Sequence, residues 1–371
     1  MSTENHAYDA SAIQVLEGLD AIRKRPGMYV GSTGERGLHH LASQLACHAM
    51  NGVLAEGGGR VDVTLLSDGG FRVRSEMSAD PVEFSMLLTD FSFCFGTGAR
   101  RGEIMLATPG MLCAVNALSA RTELEVRQDG IRWEAGYARG RTVKPVTDAG
   151  AAEGSSVTVA FWPDPEVFDT TQFSQQVLAD AYRQLAFLYR ELSVTFTDER
   201  GPGEPRALGF GGDLRGFVAH LDGEESPDVI GFGCDDPRMP GELEVALRWR
   251  PGGGEAREWS FANGFRTEGG GTHVEGLRRG LRAAVSSYGS RRELRTAGAP
   301  EIAWDRISDG LTAVVSVKLD DHLSFEGAIR DKLGNPAVAP CVEEAVRDHV
   351  TAWLETHPAE ADALVGRMLL G

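Results

Sequence analysis

Residues 41–52 read LASQLACHAMNG, preceded by GLHH and followed by Val53. Leu38, Leu41, Leu45, Ala49 and Val53 return every three or four residues, the period of one buried helix face. Between them stand Gln44, His48 and Asn51, spaced by four and by three, so their side chains share a second face of the same helix. That is the rhythm of a helix that serves a site. Of the three polar groups, only His48 exchanges a proton near neutral pH.

Outward from this helix the chain alternates strands and helices. Towards the N-terminus, IQVLEGLDAIRKR (13–25) places Ile13, Leu16, Leu19 and Ile22 at helical spacing, and Pro26-Gly27 ends that helix. On the other side, RVDVTLL and FRVRSE read as paired strands about an SDGG turn, and TELEVRQDGIRWEAGY as another pair about QDG. SSVTVAFWPD is a further strand, and a helix is expected through FSQQVLADAYRQLAFLYREL before the strand SVTFTDERG. This is an α+β layer of mixed, mostly antiparallel strands. The stretch ERGPGEPRALGFGGD (199–213) reads as a loose boundary zone. Strands ELEVALRWR and EWSFANGF, a helix over 272–287, a strand LTAVVSVKL and a helical C-terminus follow.

With 371 residues the chain is long enough for two domains, and its 42% hydrophobic and 25% charged residues are those of a globular protein. No apolar run approaches the ~18 residues needed to cross a bilayer. The polar start MSTENHAYDASA is unlike a signal peptide, so a cytoplasmic location is expected. Five scattered cysteines without CxxC spacing fit reduced thiols and no zinc site. His40, Cys47 and His48 have a spacing that could meet a metal, but no metal centre is expected from them. Against 54 acidic residues stand 37 basic ones, a net charge of −17, so nucleic acid is repelled on average. The basic run GLRRGLRAAVSSYGSRRELR (276–295), with Arg278, Arg279 and Arg282, is the best local exception, its plainer reading being a solvated helix face.

The segments IQVLEGLDAIRKRPGMYVGSTGERGLHHL, VNALS, FWPDPEVF, AFLYRELSVTFTDERG, FANGFRTEGGGTHVEGLRRGL, GLTAVVSVKL and DKLGN cover nearly the whole chain in order. Together they resemble the B subunit of DNA gyrase and its topoisomerase IV counterpart. The resemblance implies a GHKL (Bergerat-type) ATPase α/β sandwich over 1–212, with a dimerisation arm at 1–31 that includes Tyr8. A ribosomal-S5-domain-2-like transducer domain over 213–371 follows. Members of that family continue into a magnesium-binding Toprim domain. That domain is expected to be absent here, so the chain would not cleave DNA alone.

The same resemblance implies which chemistry is altered. Where the family has the general base of an E-x-x-x-N-x-x-D motif, this chain has Gln44. His48 replaces the magnesium-binding Asn, and Asn51 replaces the Asp. Gln cannot accept a proton, and loss of a positioned base costs roughly 10²–10⁴ in rate. His48 is a poor ligand for a cation that prefers oxygen. The adenine-reading D-x-G-x-G matches SEMSA, with Ser75 for the Asp and Met77 and Ala79 for the glycines. Of the glycine-rich lid only Gly110 remains, and the lid is roughly ten residues shorter than the family's, within ordinary loop variation. Val157 stands near a usual Thr. The Q-T-K sensor loop becomes Ala328-Ile329-Arg330, with Lys332 two residues on.

Substitution at base, metal ligand, adenine reader, lid and sensor together points to a dimerising binding or regulatory protein that has lost ATP hydrolysis. Its expected partner is a second copy or a gyrase-B-type chain, with weak or indirect DNA contact and no membrane. ATP and magnesium would bind only if the altered site still accepts them. One alternative is a topoisomerase module that still hydrolyses ATP. Another is a small-molecule pocket repurposed around His48 for sensing, resistance or biosynthesis.

Overall fold

Two hairpins show how local chemistry sets the register of the larger sheet. Asp129-Gly130 and Arg139-Gly140 both carry positive φ, at 54° and 80° and at 52° and 81°. Two consecutive left-handed residues make the tight turn whose twist matches antiparallel strands. The computed structural model describes residues 19–92, 103–104, 112–201, 206–223, 228–294, 302–320, 323–327 and 331–370. Tyr8, Gly110 and Arg330 lie outside the described residues.

Short helices α1 (Asp20–Lys24) and α2 (Gly27–Val30) flank Pro26 and lead to α3 (Glu35–Ala55). Strands β1 (Gly59–Leu65) and β2 (Phe71–Ser75) follow, then helices α4 (Pro81–Thr89) and α5 (Leu112–Ala117). Next come β3 (Ser119–Gln128), β4 (Ile131–Ala138), β5 (Arg141–Ala151) and β6 (Ser156–Pro163). Helix α6 (Gln175–Leu188), β7 (Leu192–Asp198) and β8 (Arg206–Phe210) complete this part. The eight strands lie in the order β5-β4-β3-β6-β2-β1-β7-β8, antiparallel except for β1 beside β7. Helix α3 packs its Leu38, Leu41, Leu45 and Val53 stripe, at most 1% exposed, against β1, β2, β6 and β7. Asp80 fixes the start of α4 by accepting from Val82 N and Glu83 N, both at 2.9 Å, with Pro81 at the first helical position.

The remainder holds α7 (Leu214–Asp222), β9 (Ile230–Asp235), β10 (Gly241–Trp249), β11 (Arg257–Ala262), β12 (Phe265–Arg266) and β13 (Gly270–Gly271). Helices α8 (Thr272–Arg291) and α9 (Trp304–Ser308) precede β14 (Leu311–Leu319), β15 (Phe325–Glu326) and β16 (Lys332–Leu333). Helices α10 (Val338–Thr356) and α11 (Pro358–Leu370) close the described chain. The second sheet runs β12-β11-β14-β10-β9, with β11 and β14 parallel and joined through α8, a βαβ crossover. β14 is buried at every position because both of its faces are covered. Val314 joins the first core, while Val315 and Val317 join the second, with the buried residues of α8 and α10. A small sheet, β13-β16-β15, ties residues 332–333 to the start of α8.

One expectation changes, and two strands stand where none was expected. The stretch 199–213 is not wholly loose, since Arg206–Phe210 pairs with β7 as the edge strand of the first sheet. β5 and β9 carry no clear alternation in sequence. β5 is an exposed edge that tolerates Pro145, so nothing forces an apolar pattern on it. Glycines interrupt β9, which is also an edge.

Candidate functional site

The site builds from α3. Gln44 is 4% exposed and donates its amide to His40 Nε2 at 3.1 Å, while its Oε1 is buried with no hydrogen-bond partner. One turn on, His48 meets the edge of Phe84 from α4, ring centroids 5.7 Å apart. Burial in this apolar setting pushes its imidazole down to about 4, so it is neutral at physiological pH. His39 and His40 are also lowered by burial; the Glu35 carboxylate partly opposes this at His39, and Arg36 adds to it at His40.

Asn51 is fully engaged. Its Oδ1 accepts from Ile104 N at 2.8 Å and its Nδ2 donates to Ile104 O at 3.2 Å. Ile104 itself is completely buried in the core. Beside this pair, Met77 lies over Gly52 so closely that a Cβ added at Gly52 would sit 2.3 Å from the Met77 sulfur. Thus Phe84 covers His48, Ile104 covers Asn51 and Met77 covers Gly52.

Ser75 and Val157 are cross-strand partners on β2 and β6, both buried, with Ser75 Oγ 3.5 Å from the Val157 carbonyl oxygen. Ala79 packs partly buried against the same core. The structure therefore gathers Gln44, His48 and Asn51 on one helix, as their spacing predicts, with Gln44 buried and His48 and Asn51 half-buried. It supplies no ionised carboxylate among Gln44, His48, Asn51 and Ser75, and His48 is a weak base there. Cys47, on another face of α3, has its thiol pushed up to about 12 by burial, so it is not a thiolate. Among the described residues, no three His, Cys, Asp or Glu side chains cluster as metal ligands.

The basic candidates assemble elsewhere. Arg278, Arg279, Arg282, Trp304 and Lys332 line a cavity of about 980 Å³ at the start of α8. Most of this charge is answered locally. Arg278 pairs with Glu258 at 2.9 Å, Arg279 pairs with Glu275, and Lys332 pairs with Glu326 at 2.5 Å. Arg278 and Arg282 lie over the Trp304 ring at 5.3 and 5.8 Å. This arrangement favours the reading of a paired, solvated face over a phosphate-binding one.

Sequence reasoning missed Ile104 and Phe84. Ile104 contributes through its backbone, which has no signature in residue type. Phe84 is an apolar position on a short helix, indistinguishable in sequence from ordinary core.

The family profile described as DNA gyrase B matches residues 213–370. The DNA gyrase B protein of Streptomyces coelicolor is 36% identical over 391 residues, covering 97% of this chain and 57% of that protein. The novobiocin-sensitive DNA gyrase B protein of Streptomyces niveus is 34% identical, covering 98% of this chain and 58% of that protein. The chain thus spans under three fifths of the length of these curated relatives. Among solved structures, the 43K ATPase domain of Thermus thermophilus gyrase B, in complex with an aminocoumarin, superposes with a TM-score of 0.79 at 27% identity, covering 95% of this chain and 93% of that one. The gyrase B-subunit of Myxococcus xanthus gives 0.78 at 26% identity, covering 94% and 99%. The eight-stranded layer and the βαβ layer are the GHKL ATPase sandwich and the transducer fold of those neighbours. Among the described residues no helix is long and apolar enough to cross a membrane.

Proposed function

The chain belongs to the DNA gyrase B family over the length it shares with it, and we propose that it is a member that has lost ATP hydrolysis and works as a dimerising binding or regulatory protein. The observation that carries this reading is the two-bond clasp between Asn51 and the backbone of Ile104, with Met77 lodged over Gly52. Where the family resemblance implies a carboxylate base and room for a nucleobase, this chain offers a Gln44 amide bonded to the His40 side chain, an Asn51 amide bonded to the Ile104 backbone, and a thioether close over Gly52. The residues present do not fit magnesium and ATP. A side chain that already satisfies a buried backbone group would leave that group unpaired on turning to a ligand, at a cost of about 1–3 kcal/mol.

We divide the chain functionally at residues 212 and 213, with the arm of residues 1–31, Tyr8 included, as the element that meets a partner. That partner is a second copy or a gyrase-B-type chain. DNA contact is weak or indirect, since most arginines of the α8 cavity are held by their own carboxylates. The test is calorimetric titration with magnesium ATP, followed by a pull-down with gyrase B and a supercoiling assay. No heat of binding, together with association and altered supercoiling, is the expected result. Saturable ATP binding with phosphate release would return the chain to the ATP-hydrolysing reading.

A further inference from the structure

Tyr189 and Arg190 form the turn from α6 to β7 in the first layer, and both touch β10 or β14 of the second. Tyr189 is buried, with Lys318 Nζ 4.9 Å from its ring, and its hydroxyl lies beside Gly264, where an added Cβ would stand 3.1 Å away. Arg190 donates to Glu244 Oε1 at 2.6 Å and stands 3.6 Å from Glu242 Oε1.

On the second layer, Glu242 and Lys318 are cross-strand partners, and Glu244 follows two residues on, on the same face of β10. Lys318 Nζ is 3.2 Å from Glu242 Oε2 and 3.2 Å from Glu244 Oε2. Each carboxylate therefore turns one oxygen to Lys318 and the other to Arg190, which closes a ring of four alternating charges. Three members of the ring belong to the second layer, two carboxylates against one ammonium. Lys318 and Glu244 are buried, and an excess charge at such a place is costly without a partner. Arg190, which also lies 3.7 Å from its neighbour Glu191, brings the second cation from the first layer.

Nearby, the joint between the layers is apolar. Phe187 of α6 stacks on Phe217 at 5.3 Å, and Phe217 meets Trp259 and Phe261 of β11 at 5.6 and 5.9 Å. Burial of apolar surface holds the layers together without choosing a direction, whereas a charge-assisted hydrogen bond adds geometric specificity. The Arg190 side chain is 56% exposed, so dissolved ions reach it while Lys318 and Glu244 stay covered. We propose that Arg190 is an ionic latch. Closed, it fixes the angle between the two layers; charge competition at its exposed guanidinium lets the second layer take a range of angles. The latch uses no residue of the Gln44 site and stands whether or not that site takes a nucleotide.

The test is pulsed electron paramagnetic resonance on the full chain, with spin labels carried by keto side chains introduced at the exposed Asp148 of β5 and Asp348 of α10. In dilute buffer the parent chain is expected to give one narrow distance distribution. Arg190→Ala and Arg190→Glu, and for the parent chain 1 M salt with its Debye length of about 3 Å, each widen that distribution roughly twofold. Circular dichroism checks that the variants keep their fold. Arg183→Ala, which breaks a pair with Asp180 inside α6, leaves the distribution narrow. An unchanged width in Arg190→Glu overturns the proposal, as does equal widening in Arg183→Ala. So does a parent chain that is broad from the start or indifferent to salt.

Discussion

The Asn51 side chain and the Ile104 backbone hold each other through two hydrogen bonds, Ile104 N to Asn51 Oδ1 at 2.8 Å and Asn51 Nδ2 to Ile104 O at 3.2 Å. An amide is the one short side chain that can both accept and donate in this geometry. Asn51→Asp, which introduces the residue type that the family resemblance implies at this position, keeps the acceptor and sets a carboxylate oxygen against the Ile104 carbonyl. It is expected to destabilise the fold by ~1–3 kcal/mol. Urea unfolding measures this, and faster amide exchange at Ile104 locates it; an unchanged midpoint would mean that the clasp contributes nothing.

On the proposed reading, a carboxylate placed at residue 44 is not expected by itself to bring hydrolysis. Gln44→Glu places a carboxylate beside His40, yet Met77 still covers Gly52 and Ser75 still stands on β2. Phosphate release by Gln44→Glu is expected to stay at background. Hydrolysis appearing from this one change would show that the remaining substitutions are tolerated.

Asp222 is 1% exposed at its side chain and faces Arg248 at 3.2 Å, Arg257 at 3.2 Å and Arg250 at 3.4 Å, while Thr312 donates to it at 2.7 Å. Removing one carboxylate strands several cations around a buried position. Asp222→Ala is expected to cost ~3–5 kcal/mol. Chemical denaturation checks it, and a loss below ~1 kcal/mol, the level of an exposed pair, would contradict the buried network.

Stability also depends on pH through the imidazoles of the half-buried His48 and the buried His273. Burial lowers His48 from 6.5 to about 4 and His273 from 6.5 to about 3. The unfolded chain therefore binds protons that the folded chain refuses between these values. The stability they contribute is complete above pH 6.5 and is lost as the pH falls through this window towards the folded values. Calorimetric melting temperatures are expected to drop from about pH 7 to about pH 5, and His48→Asn should flatten part of that slope. A flat profile in the parent chain would refute the assignment.

Helices α8 and α10 approach through glycine. A Cβ on Gly276 would lie 2.4 Å from the Ala339 carbonyl oxygen, and one on Gly280 would lie 2.6 Å from that of Glu343. Backbone cannot yield as a flexible side chain does, so Gly276→Ala is expected to cost ~1–3 kcal/mol by overpacking. Thermal unfolding measures it; a neutral result would mean the helices can separate freely.

Much of this architecture is legible in sequence because it is periodic. The Leu38–Val53 stripe announces α3, and the QDG turn announces the β3–β4 hairpin. LTAVVSVKL announces a strand covered on both faces. Edge elements are not legible in this way, since the exposed β5 answers to no core. The candidate site divides along the same line. The spacing of Gln44, His48 and Asn51 predicts a shared helix face, but no spacing can reveal that Ile104 would close it with main-chain atoms.

The pairing of Gly271 with Leu333 has a mechanical side. It fastens the strand that follows residue 330 to the first turn of a 20-residue helix. A helix of that length is a rod about 30 Å long. Gripped at its foot by β16 and along its flank by α10, such a rod turns a tilt of a few degrees at Leu333 into a sweep of ångströms at Arg291. The register of that two-residue pairing therefore sets where the far end of α8 lies.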